Sequence, residues 1–204
     1  MKLITEAADN LLFLKESVNG EMQYYIRGIF MQANIKNKNG RMYPLEVLQK
    51  EVARYVREEI NEDRACGELG HPQGPTINYD RVSHKITSLK QEGTNFIGEA
   101  IVLDTEHGVQ VKRLIDGKMK LAVSSRGVGS VKRIGDSDRV QEDFMLATPA
   151  DIVHNPSAPS AFVKGIMEDV EWTCNNGVWS VKEDQREQLI LEDFGNFMIQ
   201  MKRW

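Results

Sequence analysis

The spacing of apolar residues divides the chain into several strands and a few helices. Residues 24–35 form one long β-branched and aromatic run, and residues 82–104 contain two extended runs around the turn sequence EGTN at 92–95. Such a pair of runs is typical of an antiparallel hairpin. Apolar positions recur at helical spacing in residues 44–59, which open with a proline, and again in residues 107–116. The pattern predicts an α+β domain: a mainly antiparallel β-barrel core with surrounding helices.

The second half of the chain is less regular. Residues 119–134 are extended but interrupted by serines and glycines at 124–129, and a strand over residues 144–152 is broken at its proline. A short strand is expected at residues 162–166. The tail that begins at residue 182 has the apolar spacing of an amphipathic helix.

Composition narrows the functional classes. Hydrophobic residues make up 41% of the 204 residues and charged residues 27%, which is typical of a folded globular protein. The formal net charge of -4 argues against direct nucleic-acid binding, because phosphate binding needs clustered cations. No apolar run reaches the roughly 18 residues of a membrane span. The two cysteines, Cys66 and Cys174, are far apart and do not have the spacing of metal ligands. So few cysteines are typical of a protein in a reducing compartment.

Two short segments contain residues suited to catalysis. His71 lies in the glycine- and proline-rich stretch 66–76, for which we predict a loop, and Ser124 lies where an apolar strand meets SSRGVG. A serine nucleophile needs a nearby base and N–H donors that stabilise the oxyanion. Each residue also has a structural explanation: a solvated loop histidine, or a bulge closed by serine–backbone hydrogen bonds. The residues alone leave both interpretations open.

The remaining histidines suggest weaker candidates. Asp104, Glu106 and His107 could form a metal cluster, although acidic residues before a helix usually cap it. His84 is expected on a sheet face and His154 in a loop. A metallohydrolase that uses His107 is therefore the last-ranked hypothesis.

Five sequence blocks, in order, resemble the prohead core proteases of large contractile-tailed phages. These maturation proteases are related to herpesvirus assemblins. The blocks are residues 28–33 (GIFMQA), 41–44 (RMYP), 67–72 (GELGHP), 124–130 (SSRGVGS) and 155–159 (NPSAP). The resemblance implies an assemblin-like fold with a protease domain at residues 20–168. It also implies a removable N-terminal extension at residues 1–19 and a removable tail at 169–204.

The resemblance also implies the site. It places the nucleophile at Ser124 and the general base at His71, with Asp151 as the third member and His154 as a minor alternative. Asp151 is favoured because a carboxylate orients the imidazole and stabilises its charged form. Neighbouring positions would support the oxyanion hole: Ser125, Arg126 and Gly127. No cofactor and no metal are implied.

The family's specificity suggests a self-cleavage pattern. Its members cleave after glutamate, with Ile or Leu two residues earlier. Six such tripeptides occur in this chain, where its composition predicts between two and three. We expect Glu99 to be protected inside a strand, and the exposed ends leave four candidates: Glu6, Glu16, Glu168 and Glu192. A cation should receive the substrate glutamate, and the nearest in sequence are Arg126, Lys132 and Arg133.

The resemblance predicts a serine endopeptidase that acts on phage scaffold, core and capsid proteins and on itself. Its location would be the host cytoplasm, inside the assembling prohead, with no membrane partner. The oligomeric state stays open, and a homo-oligomer is one outcome. The alternative function is a non-catalytic capsid-core or scaffold component, for which the amphipathic tail would be a docking helix.

Overall fold

The structure is a computed structural model that describes residues 2–8, 11–18, 21–72, 74–119, 121–154, 172–175 and 178–181. Strands dominate these residues, and two α-helices accompany them, so the predicted α+β class is confirmed. The described strands pair into separate sheets, and none of these sheets closes into the predicted barrel. No helix in the described part of the chain is long and apolar enough to cross a membrane.

The strands are numbered in chain order. They are β1 (Lys2–Ala8), β2 (Leu11–Val18), β3 (Glu21–Gln32), β4 (Arg41–Met42), β5 (Cys66–Glu68), β6 (Val82–Glu92), β7 (Asn95–Val102), β8 (Leu121–Gly129), β9 (Val131–Ile134), β10 (Ser137–Val140), β11 (Met145–His154), β12 (Trp172–Asn175) and β13 (Val178–Val181).

Two sheets form most of the described structure. The larger has five strands in the order β2-β3-β7-β6-β5, and every neighbouring pair is antiparallel. The smaller has the order β1-β8-β11 and is also antiparallel, so β8 is its central strand. A minor sheet has the order β4-β10-β9, and β12 pairs with β13.

The two helices cover the sheets. Helix α1 (Leu45–Tyr55) begins after Pro44, whose missing N–H costs nothing at that position, and continues as a π-helical turn at Val56–Ile60. Helix α2 (Glu106–Asp116) is capped by Thr105, whose side chain accepts a hydrogen bond from the Gly108 N–H at 3.1 Å. Helix α1 packs on β11, and α2 packs on β6 and β7.

A buried glutamate ties α1 to β11. Glu51 is 4% exposed, and its Oε1 accepts a hydrogen bond from the Leu146 N–H at 2.6 Å and another from Arg54 Nη2 at 2.6 Å. The Arg54 guanidinium also reaches the Leu146 carbonyl at 2.9 Å. This charged link fixes one end of β11, the strand that carries Asp151.

Several predicted elements are confirmed. The long strand, the 82–104 hairpin and both helices are present within a few residues of their predicted bounds. Glu99 lies inside β7, which is paired on both sides, as expected. The predicted strand at 162–166 and the tail helix from residue 182 lie outside the described residues.

Other predictions were wrong. The stretch predicted as a loop begins with a strand, β5, because Cys66 and Gly67 pair with β6. Strand β8 continues through the serines and glycines at which a break was predicted. Pairing on both sides outweighs the weak strand preference of these residues. Gly127 also belongs there sterically, since a Cβ at that position would lie 2.5 Å from the Met145 carbonyl oxygen.

Two further features escaped prediction. The removable extension predicted at residues 1–19 contains two strands, β1 in the smaller sheet and β2 in the larger. Strand β11 continues through Pro149, where a break was predicted, and only its register with β8 shifts, between Thr148 and Asp151. Such irregularities re-aim side chains, and here the register resumes with Asp151 opposite Ser124.

Candidate active site

The loop that carries His71 is fixed by backbone contacts. It follows β5, and Gly70 adopts φ +81°, a left-handed conformation that glycine tolerates without strain. The Gly70 N–H donates to the Ile152 carbonyl at 2.7 Å, and the Leu69 N–H donates to the Arg81 carbonyl at 3.2 Å. The bond to Ile152 holds the loop against β11, so His71 lies beside that strand and close to Asp151.

His71 contacts Asp151 directly. The His71 Nδ1 lies 3.2 Å from Asp151 Oδ2, with the imidazole side chain 12% exposed and the carboxylate fully buried. A carboxylate can only accept, so Nδ1 carries a proton in this contact, and in the neutral imidazole the lone pair is then on Nε2. An imidazole in this tautomer is suited to act as a general base.

Arg126 also binds the Asp151 carboxylate, through both of its oxygens. It is fully buried, and its Nε donates to Asp151 Oδ2 at 2.8 Å. Its Nη2 donates to Asp151 Oδ1 at 3.3 Å and to Glu68 Oε1 at 2.9 Å. Its Nη1 donates to the carbonyls of Gly74 and Thr76 at 2.7 and 3.0 Å. All five guanidinium N–H groups are thus used, and none remains for a substrate carboxylate.

These contacts keep Asp151 ionised. Burial by itself would raise the pKa of Asp151, but the His71 hydrogen bond and the Arg126 charge outweigh it and hold that pKa below its usual value. The Glu68 N–H adds a hydrogen bond to Asp151 Oδ1 at 3.0 Å. The carboxylate is therefore available to stabilise a charged imidazole at neutral pH.

Ser124 lies opposite Asp151 in the β8–β11 pair. Residues directly opposite in an antiparallel pair share a face, with Cβ atoms about 4.5–5.5 Å apart. Arg126, two residues along β8, shares that face and contacts Asp151, whereas Ser125 points to the other face. Ser124 is 3% exposed. No hydrogen bond joins it to His71 among the described residues.

The serine next to the expected nucleophile has a different environment. The Ser125 Oγ is buried and has no hydrogen-bond partner among the described residues. Ser125 and Gly127 both lie inside β8 and pair with β1, and Gly127 also pairs with Leu146 of β11. Their expected support of an oxyanion hole stays a prediction.

A cleft of about 790 Å³ opens beside His71. Its walls include Pro72, Thr76, Tyr79 and Arg81. Arg81 donates to the Leu69 carbonyl, and its Nε lies 3.6 Å from Glu68 Oε2. Among the residues that line the cleft, Arg81 is the cation. Lys132 and Arg133, by contrast, lie exposed on β9, and Arg133 pairs with Asp138 at 3.2 Å.

A second serine–histidine pair has no access to substrate. His84 and Ser83 are fully buried, and Ser83 Oγ lies 2.9 Å from His84 Nδ1. His84 Nε2 lies 2.9 Å from the Ala150 carbonyl, which can only accept, so Nε2 carries the proton. This hydrogen bond from His84 fixes the backbone of Ala150, the residue before Asp151. The sequence had indicated only a sheet-face position.

His84 gives stability a specific pH dependence. Burial lowers the pKa of His84 to about 4, whereas an unfolded histidine titrates near 6.5. As the pH falls, His84 is therefore protonated in the unfolded state before it is protonated in the folded state. The free energy of unfolding that is present above pH 6.5 is lost as the pH falls toward 4. The difference corresponds to about 3 kcal/mol. The pKa of Asp151 is lowered from its usual value of 3.8, so protonation of Asp151 affects stability only at a pH below this range.

Urea unfolding of the wild type and a His84→Gln variant at pH 7.0, 5.5 and 4.5 measures this effect. We expect the wild type to lose about 2–3 kcal/mol more than the variant across the series. Parallel pH profiles for the two proteins would contradict the assignment.

A cysteine or metal mechanism finds little support nearby. Burial, followed by the charges of Glu68 and Asp151, raises the pKa of the Cys66 thiol to about 11, so it stays protonated at neutral pH. Asp104, one of the proposed metal ligands, binds Lys112 Nζ at 2.6 Å. Within the described ranges, no group of three His, Cys, Asp or Glu side chains is arranged to hold a metal ion.

Sequence reasoning missed Glu68 and the partners of Arg126. Glu68 belongs to the GELGHP block and Arg126 to the SSRGVG block, but the chain separates them by 58 residues. Their pairing depends on the approach of β5 to β11, which no local pattern specifies. The available signal was a pair of opposite charges inside the matching blocks: Glu68 had been given no role, and Arg126 had been assigned only to the oxyanion hole or the glutamate pocket. His154 ends β11 and is exposed, with no contact to this group given by the structure.

Comparisons with known proteins identify the family to which this chain belongs. The family described as prohead core protein serine protease matches residues 14–171. The prohead core protein protease of Enterobacteria phage T4 is 37% identical over 142 residues, which are 68% of this chain and 67% of that protein. The structure of the bacteriophage T4 capsid assembly protease, gp21, matches with a TM-score of 0.70 and 28% identity, covering 76% of this chain and 98% of that one. This chain belongs to the prohead core protein serine protease family.

Proposed function

We propose that this protein is a serine endopeptidase of phage capsid maturation, with Ser124 as nucleophile, His71 as general base and Asp151 as the residue that orients His71. One observation carries the proposal: His71 hydrogen-bonds a buried, ionised Asp151, and Ser124 lies opposite that carboxylate on the same face of the sheet. The family and the T4 relative support the peptidase activity.

The proposed reaction follows acyl transfer. Ser124 Oγ attacks the carbonyl carbon of the scissile bond while His71 Nε2 accepts the hydroxyl proton. His71 then donates that proton to the leaving amine, and the C–N bond breaks. A water molecule, deprotonated by His71, hydrolyses the acyl-serine and restores the enzyme. Asp151 stabilises the imidazolium in both steps, and Arg126 positions Asp151 without contacting the substrate.

The substrates follow from the family. We propose that the enzyme acts inside the assembling prohead, in the host cytoplasm, on scaffold, core and capsid proteins and on itself. Cleavage after glutamate is part of this proposal, as is removal of terminal segments by self-cleavage after Glu6 or Glu16 and after Glu168 or Glu192. Arg81 is the cation that lines the cleft beside His71, whereas Arg126 has no free donor for a carboxylate.

A matched pair of peptides tests this function. The first carries residues 162–172 (FVKGIMEDVEW), and the second has Gln in place of Glu168. After the full chain has been incubated until its mass is constant, we expect cleavage between Glu168 and Asp169. The Gln peptide should be cleaved about 10- to 100-fold more slowly, because a hydrogen bond to a charged group contributes about 1.5–3 kcal/mol.

A Ser124→Ala sample run in parallel excludes a contaminating protease. Equal rates for the two peptides, or cleavage after another residue, would contradict glutamate specificity. If neither peptide were cleaved, the result would favour the alternative function, a non-catalytic capsid-core or scaffold component.

A further inference from the structure

Strand β1 covers one edge of β8, the strand that carries Ser124, from Val123 to Gly129. Strand β8 pairs with β11 on one side and with β1 on the other, and the β1 register runs through seven consecutive antiparallel pairs without a shift. Without β1, β8 would be an edge strand with unpaired N–H and C=O groups. An edge of this kind accepts an extended peptide as an added strand.

The register places one peptide bond opposite the expected nucleophile. Glu6 pairs with Ser125 and Ala7 pairs with Ser124, so the Glu6–Ala7 bond lies across from the Ser124–Ser125 bond. This bond also follows Ile4-Thr5-Glu6, one of the six tripeptides that match the expected cleavage pattern. Two independent features, strand pairing and sequence, therefore select the same bond.

The other described candidates lie elsewhere. Glu16 is in β2, opposite Gln23 of β3, and Glu99 is inside β7. Glu62 lies in an exposed turn that follows the π-helical segment. Among the described glutamates of the six tripeptides, Glu6 alone is paired with β8. Strand β1 also precedes residue 14, where the family match begins.

We infer that the edge of β8 is the site that receives an extended substrate strand, and that the Glu6–Ala7 bond, seated there by β1, is the bond this chain cleaves first and in cis. The inference rests on the proposed function. A tethered substrate avoids the entropic cost of association, which favours this bond over any bond in another molecule.

The reaction releases the first six residues. Ser124 Oγ forms a bond to the Glu6 carbonyl carbon and His71 takes the hydroxyl proton; the bond to the Ala7 nitrogen then breaks as His71 protonates that nitrogen. Water cleaves the ester, freeing residues 1–6 with a new carboxylate on Glu6. Ser124, 3% exposed with β1 in place, then becomes accessible to other peptides.

Intact-mass spectrometry of the purified full chain tests the inference. We expect loss of residues 1–6 with a first-order rate that does not change over a hundredfold range of protein concentration. A Glu6→Gln variant should slow this loss by at least about 100-fold, and the matched Glu16→Gln variant should leave it unchanged. Labelling of Ser124 by a serine-reactive phosphonate should accelerate at least about tenfold as the segment leaves.

Hydrogen exchange of a full-length Ser124→Ala variant provides a readout independent of activity. We expect residues 2–8 to be protected in this variant, and rapid exchange there would contradict the seated strand. A chain that labels at Ser124 but keeps residues 1–6, or loses them at a concentration-dependent rate, would overturn the inference and leave the proposed enzyme intact. A chain that neither labels nor cleaves any peptide would overturn the proposed function itself.

Discussion

A Ser124→Ala variant is expected to lose peptide cleavage by about 10⁶-fold, the loss typical of a serine protease without its nucleophile. The fold should be retained, because alanine occupies the same strand position and Ser124 has no hydrogen bond among the described residues that the change would break. Steady-state cleavage rates of the full chain, with circular dichroism and thermal unfolding as checks on folding, measure the effect.

The adjacent Ser125 provides the matched control. It is in the same strand and is also buried, but it points to the opposite face from Asp151. A Ser125→Ala variant should keep its activity within about tenfold, the effect of a modest local change. If Ser125→Ala lost activity while Ser124→Ala kept it, the nucleophile would be wrong by one residue.

An Asp151→Asn variant is expected to lose about 10⁴ in kcat, because an amide presents the wrong hydrogen-bonding pattern to His71 Nδ1. It should also lose stability, by roughly 3–5 kcal/mol, since the buried Arg126 loses one of its two carboxylate partners. Cleavage kinetics and urea unfolding separate these two effects.

Glu68→Gln provides a control for the change in charge. Glu68 is buried and binds Arg126 as Asp151 does, at 2.9 Å, but the structure gives it no contact with His71. We expect a comparable loss of stability and a loss in kcat below about 100-fold, the size of an indirect effect on positioning. If both variants reduced kcat equally, the role of Asp151 would be structural and not orienting.

Elements set by local pattern were predictable from the sequence. The 82–104 hairpin has alternating apolar positions and a turn sequence, and helix α2 has both a Thr105 cap and periodic apolar positions. Strand β8 was different, because its serines and glycines disfavour a strand locally. It forms because β1 and β11 pair with it on both sides, and this information lies far away in the sequence.

Part of the candidate site was also predictable from the sequence, and part of it was not. His71, Ser124 and Asp151 were proposed through family resemblance, since the residues alone left a structural alternative for His71 and Ser124 and did not single out Asp151. The role of Arg126 could not be predicted, because its partners come from β5, the following loop and β11. Only the fold brings these segments together around one guanidinium.

The most direct test of this account is mapping the adduct of a serine-reactive phosphonate by tandem mass spectrometry, with full-length wild type and His71→Ala compared. The account predicts covalent mass on Ser124 in the wild type and labelling slowed at least about 100-fold without the imidazole, the usual contribution of a general base. An adduct on any other residue, or equal labelling of the two proteins, would contradict it.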